Sequence, residues 1–172
     1  CGKESLVSRV RDAMVKGFGG ALSPFSAFLV ARGMRTFALR MRQATDTAAT
    51  LARFLAEHPA VEAVHHPSLP SHSGHAVARS QMSAMPAILS FEVRGGLAKA
   101  RAVRERLSLV AHAVSLGDTR TLLTHPASTT ASTMPLADRE KAGITDGLLR
   151  LAVGIEDAPD LVEDLDRALG AR

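Results

Sequence analysis

GLLRLAVGIEDAPDLVEDLDRAL, residues 147–169, changes its hydrophobic period partway along. Leu149, Leu151, Val153 and Ile155 alternate with other residues, the two-residue period of a strand that buries one face. From Pro159 the apolar residues recur every four positions, at Leu161, Leu165 and Leu169, so the strand gives way to a terminal helix with proline in its first turn. A strand followed at once by an amphipathic helix sets the class as mixed α and β, with a helix packed back on a sheet.

The same two signals recur upstream. Residues 86–93 place Ala87, Leu89, Phe91 and Val93 on one face and Ser90 and Glu92 on the other. Further strands are expected at 61–65, 112–116 and 122–125, and helices at 76–82 and 97–107. Earlier still, Ser23 stands as N-cap of a helix whose first residue is Pro24. Val30, Met34, Phe37, Met41, Ala44, Ala48, Leu51 and Leu55 follow spacings of four and three, a single stripe running to about residue 57, and His58 and Pro59 end it. Gly33 lowers helix propensity by about 1 kcal/mol relative to alanine, which predicts a kink or break at that point. Residues 16–20, Lys-Gly-Phe-Gly-Gly, read as a flexible segment. The sum is a long kinked helix followed by an α+β unit, a small open sheet with helices on one face.

Composition bounds the function. At 172 residues and 46% hydrophobic content, the chain can bury one sizeable core. It has no apolar run of about 18 residues and no apolar stretch in CGKESLVSRVRD, so the expectation is a protein without membrane or signal segments, cytoplasmic by default. The single cysteine, Cys1, excludes an internal disulfide framework. A net charge of +4 raises the question of an anionic partner, but the arginines are scattered and the chain has no Trp or Tyr to stack a base. Nucleic acid is therefore not an expected partner. His65, His66, His72 and His75 crowd one loop, yet no carboxylate or cysteine lies among them and Pro67, Pro70 and Gly74 interrupt them, so no metal site is expected. A hydrolase is set aside because the G-x-S-x-G elbow is absent.

Arg150 is the residue with most chemical promise. It faces away from Leu149 and Leu151, and its same-face neighbours Ala152 and Gly154 are small, leaving room beside a planar fork of donors that suits a carboxylate. A solvent-facing arginine or a structural ion pair would show the same pattern. Two loops, SLGD at 115–118 and HPASTT at 125–130, bring hydroxyls and backbone amides after strands; they could complete an anion site or be ordinary capped turns.

Four stretches occur in the order of a known family: LSPFSAFLVARGMRTFALRM from Leu22, LPSHSGHAVARSQMS from Leu69, AVSLGDTRTLLTHPASTT from Ala113 and GITDGLLRLAVGIEDAPDLVEDL from Gly143. The chain resembles the pyridoxal-phosphate enzymes of cysteine and methionine metabolism, which include cystathionine γ-synthase and γ-lyase, methionine γ-lyase and the O-acylhomoserine sulfhydrylases. The resemblance covers nearly the whole chain. It implies the end of a fold type I chain: residues 1–23 as the tail of a cofactor-binding large domain, 24–58 as a connecting helix and 59–172 as a small, mostly antiparallel α+β domain.

The resemblance further implies that Arg150 holds a substrate α-carboxylate, with Ser115 and Thr130 beside it. His125 would be structural and Asp118 a turn or cap residue. The family's cofactor lysine sits in an S-x-T-K segment, and Lys3, Lys16, Lys99 and Lys141 lack that context. Pyridoxal 5'-phosphate is thus expected on an N-terminal half that this chain lacks, leaving no catalytic or cofactor-binding residue here. Ala131 and Gln43 stand where many members have histidine. The implied reaction is γ-elimination or γ-replacement on a sulfur amino acid or homoserine derivative, most like methionine γ-lyase, with the sulfhydrylase or cystathionine enzymes as alternatives. The implied assembly is a homotetramer built from dimers. A reading of another class is a non-catalytic module that pairs with an N-terminal half, suggested by the long apolar stripe.

Overall fold

The computed structural model describes residues 2–170, so Cys1 lies outside the described residues. The chain divides into two compact units between Ala38 and Leu39. The first contains α1 (Glu4–Val10), a π-helical turn (Arg11–Gly17) that continues it, and α2 (Pro24–Met34). Lys16 and Gly17 therefore close a helix, where the sequence suggested flexible chain. The Phe18 and Gly20 amides donate to the carbonyls of Ala13 and Met14 at 3.0 and 2.8 Å. Ser23 caps α2 as expected, its Oγ accepting the Ser26 N–H at 3.1 Å.

The helical run is interrupted at Arg35 and Thr36, beyond Gly33, and resumes as α3 (Phe37–Glu57). Glycine lowers helix propensity without a steric clash, so α2 carries Gly33 inside it. The run ends where the Arg35 amide reaches back only three residues, to the Arg32 carbonyl at 3.3 Å. The expected stripe also splits. Ala48, Leu51 and Leu55 are fully buried, whereas Met34 and Phe37 are 69% and 56% exposed.

The second unit is built on a five-stranded sheet. After α3 come β1 (Val61–His65), α4 (His75–Gln81), β2 (Ile88–Val93), α5 (Gly96–Arg106), β3 (Ala111–His112), β4 (Leu122–Thr124), α6 (Leu136–Lys141), β5 (Leu148–Ala152) and α7 (Ala158–Leu169). The strand order is β1-β2-β5-β4-β3, antiparallel throughout except for the parallel β3–β4 pair. Leu89, Phe91, Leu149 and Leu151 form the inward face, packed in one core with Leu51 and Leu55 of α3, Val103 of α5 and Leu161 and Leu165 of α7. Burying each of these side chains contributes roughly 1.5–3 kcal/mol. The alternation seen in the sequence is what produces this core.

Strand β3 is shorter than expected. It stops at His112, and Val114 and Leu116 are exposed, because the chain leaves the sheet edge to form the loop around Gly117, whose φ is 79°. At the other end of α5, Asp164 of α7 accepts the amides of Ser108, Leu109 and Val110 at 3.0 Å each, which ties the α5–β3 connection to the last helix. Among the described residues, no helix is long and apolar enough to cross a membrane.

Candidate functional site

Register places the site. On β5, Arg150 lies opposite Ser90 of β2 and Thr124 of β4, on the face away from the core. Leu149 and Leu151 point into the core at 0% exposure, and strand alternation sends Arg150 the other way. Its Nη2 donates to the Ser115 carbonyl at 3.1 Å and to Thr124 Oγ1 at 3.3 Å. Thr124, 1% exposed, donates a hydrogen bond from its own hydroxyl to the Ala113 carbonyl at 2.7 Å. The arginine and the start of the 113–120 loop are thus joined through one buried hydroxyl.

Nη2 is engaged, but Nε of Arg150 is buried and has no hydrogen-bond partner among the described residues. A buried donor left without an acceptor costs about 1–3 kcal/mol. The guanidinium therefore has donors to spare in a partly desolvated place, which is what a carboxylate needs for charge-assisted hydrogen bonds.

The structure brings Arg150 and Ser115 together, through the serine carbonyl, with the exposed hydroxyl making no hydrogen bond among the described residues. It joins neither of them by a hydrogen bond to Thr130, which is exposed beyond the short 3-10 turn Pro126–Ser128. Thr124 is the residue that reading the sequence missed. Its signal is the cross-strand register with Arg150, and that register appears only once β4 is paired with β5.

The neighbouring histidines are structural. His125 Nε2 lies 2.9 Å from the Asp146 carbonyl, so Nε2 carries the proton, and Nδ1 takes the Ser128 hydroxyl at 2.7 Å. His66, 0% exposed, repeats the arrangement, with Nε2 donating to the Pro86 carbonyl and Nδ1 accepting from Ser68. Burial holds His66 below the ordinary histidine pKa, the Pro86 carbonyl opposes this, and His72 adds to it. His75 Nδ1 meets the Pro67 carbonyl and His72 Nδ1 accepts the Gly74 amide. Among the described residues, no three His, Cys, Asp or Glu side chains are grouped to hold a metal. Asp118 caps its turn, its Oδ1 accepting the Thr119 N–H at 2.6 Å.

The cluster of Arg150, Ser115 and Thr124 fits a carboxylate and does not fit an aldehyde-bearing cofactor, for no lysine belongs to it. Lys99 donates to the Leu169 carbonyl at 2.5 Å, and Lys141 sits in the last turn of α6. Lys16 is paired with Asp12 inside the first unit, at 2.6 Å.

A family described as "Cys/Met metabolism PLP-dependent enzyme" matches residues 2–170. The L-methionine gamma-lyase of Porphyromonas gingivalis is 44% identical over 98% of this chain and 42% of its own length. Among solved structures, a cystathionine gamma lyase of Micromonospora echinospora superposes with a TM-score of 0.91 at 40% identity, covering 99% of this chain and 44% of that one. An O-acetylhomoserine (thiol)-lyase of Campylobacter jejuni, solved with a pyridoxyl-lysine phosphate residue, also gives 0.91, at 32% identity over 99% of this chain and 41% of that one. The chain spans less than half the length of each of these relatives.

Proposed function

Because this chain belongs to the family of pyridoxal-phosphate-dependent enzymes of cysteine and methionine metabolism, we propose that it contributes the substrate-carboxylate side of an active site for γ-elimination on a sulfur amino acid. Methionine is the leading substrate, as the relatives named L-methionine gamma-lyase suggest at 41–44% identity. The cofactor, which supplies an electron sink for a carbanion, is held by residues other than these, in a half that pairs with this chain. The chain alone is then inactive. Partnering is supported by the first unit, where Phe18, Phe25 and Phe28 are 81%, 70% and 60% exposed. A dimer-based tetramer in the cytoplasm is the assembly we propose.

The single observation that carries the reading is Arg150: a guanidinium fixed by Ser115 and Thr124, with its Nε buried and unpartnered. Binding the α-carboxylate there orients the Cα–H bond for removal of its proton, and positioning of this kind is part of the roughly 7–11 kcal/mol available to enzymes from orientation. Ser115 contributes a hydroxyl within the same loop, and Thr130 is proposed as a third donor.

The test is kinetic. In the enzyme assembled with its cofactor-bearing half, methionine is expected to give 2-oxobutanoate, ammonia and methanethiol, and Arg150→Ala is expected to raise KM strongly and slow turnover. Wild-type kinetics in that variant would overturn the assignment. Turnover of O-acetylhomoserine with sulfide in place of methionine would move the protein to the sulfhydrylase branch and leave the role of Arg150 intact.

A further inference from the structure

Strand β5 carries Arg150, and its continuation grips the far end of the loop that Arg150 touches. The near end of that loop is fixed where Ala113 exchanges hydrogen bonds with β4, its amide donating to the Leu123 carbonyl and its carbonyl accepting from Thr124. At the far end, the Ile155 amide donates to the Thr119 carbonyl at 2.9 Å and the Gly154 amide donates to Thr121 Oγ1 at 2.9 Å. Thr121 in turn donates its amide and its hydroxyl to the two carboxylate oxygens of Glu156, at 2.6 and 2.7 Å. Between these anchors the chain turns at Gly117 and leaves residues 114–120 exposed.

Each member of this clamp has a chemical reason to be what it is. Thr121 is 0% exposed, and its hydroxyl gives its one proton to Glu156 while accepting from Gly154. Valine would fill the same space and break both bonds. A Cβ on Gly154 would lie 2.4 Å from the Thr119 carbonyl oxygen and 2.6 Å from the Arg120 carbonyl carbon, so only glycine lets the strand pass this close to the loop. Both oxygens of Glu156 accept from Thr121, one from its amide and one from its hydroxyl, which holds the carboxylate in the clamp.

We infer that Thr121, Gly154 and Glu156 form a latch that positions the 115–120 loop for carboxylate binding at Arg150, an inference that rests on the carboxylate site proposed above. Since one segment, residues 150–156, bears both the guanidinium and the latch, the loop is held in a fixed relation to the arginine. These are positioning residues: they act on substrate through Ser115 and the loop.

The test compares Thr121→Val, Thr121→Ser and Glu156→Ala in the assembled enzyme, with Arg150→Ala as reference. KM for methionine, or for O-acetylhomoserine with sulfide, is expected to rise about tenfold or more in Thr121→Val and Glu156→Ala, each of which breaks two hydrogen bonds, at least one of them to a charged group. Thr121→Ser, which keeps the hydroxyl, is expected to stay within about twofold of wild type. The inhibition constant of 3-(methylthio)propylamine, which lacks the carboxylate, is expected to change less than about twofold in every latch variant. Hydrogen exchange is expected to rise over residues 113–121 and to stay unchanged in β2 and β5.

If Arg150→Ala raises KM and the latch variants do not, the latch is wrong and the carboxylate site stands. Parallel loss of amine inhibition, or faster exchange across the sheet, assigns the three residues a general structural role and overturns the inference. An unchanged KM in Arg150→Ala overturns the carboxylate reading and the latch's function with it. Should Glu156→Ala and Thr121→Val fail to fold, Glu156→Gln, which keeps one acceptor, decides by the same comparisons.

Discussion

Arg150 meets Ser115 through the main chain: Nη2 donates to the Ser115 carbonyl at 3.1 Å, and the serine hydroxyl takes no part in the contact. Side-chain removal at Ser115 therefore leaves the arginine where it is. Thr124 is different, because its buried hydroxyl accepts from Arg150 and donates to Ala113 at once. We expect Thr124→Val to cost about 1–3 kcal/mol of stability, the cost of leaving buried partners unpaired. Ser115→Ala, at an exposed position, is expected to fall within about 0.5 kcal/mol of wild type. Chemical denaturation of the two variants side by side checks this, and equal losses would refute the distinction.

The contrast between these residues shows what a single sequence can convey. Arg150 was legible because its flanking Leu149 and Leu151 fix its face by alternation, and alternation is local. Thr124 was not, since its part in the site comes from lying opposite Arg150 on a strand distant in sequence. Strands β2 and β5 are located by their alternation, though β2 begins at Ile88 and not at residue 86, and β5 stops at Ala152, short of Val153 and Ile155. The edge strand β3 is also shorter than its pattern suggests, because Val114 and Leu116 look like strand residues but are exposed. Leu6, Val10 and Met14 of the first unit carry a helical spacing as well, but all three are exposed, and the charges and glycines around them weaken the pattern.

Burial also sets which phenylalanines matter to this chain. Phe91 is 0% exposed in the sheet core, whereas Phe25 is 70% exposed on α2. Phe91→Ala is expected to destabilise by about 3–5 kcal/mol, from lost transfer free energy and the cavity left behind. Phe25→Ala is expected to change the stability of the isolated chain by less than about 0.5 kcal/mol. Urea unfolding monitored by far-UV circular dichroism separates the two, and a large loss at Phe25 would show that the first unit buries it.

Stability should respond to acid in two stages, each with a named residue. Burial of His66 lowers its pKa, the Pro86 carbonyl partly opposes that, and the charge of His72 lowers it further, so the folded state favours the neutral ring. A group whose folded pKa lies below its unfolded value stabilises fully above the latter, and that contribution is lost as pH falls through the folded pKa. For His66 the loss begins near 6.5. His112 is shifted in the same direction, by burial and then by Arg104 and His125, but its side chain is exposed and its share is smaller. Asp164 acts later. Burial alone would raise its pKa, but the hydrogen bonds from Ser108, Val110 and Leu109 outweigh that and hold it below 3.8. Its stabilisation is thus complete above 3.8 and disappears as pH falls through the lower folded value. Unfolding free energy measured from neutral pH downward should be level, decline below about 6.5, and decline again below about 3.8. His66→Gln should remove most of the first decline. Asp164→Asn should remove the second and destabilise at neutral pH, because the amide NH2 brings a donor to a site already filled with donors. A single decline unaltered by either substitution would assign the acid response to other groups.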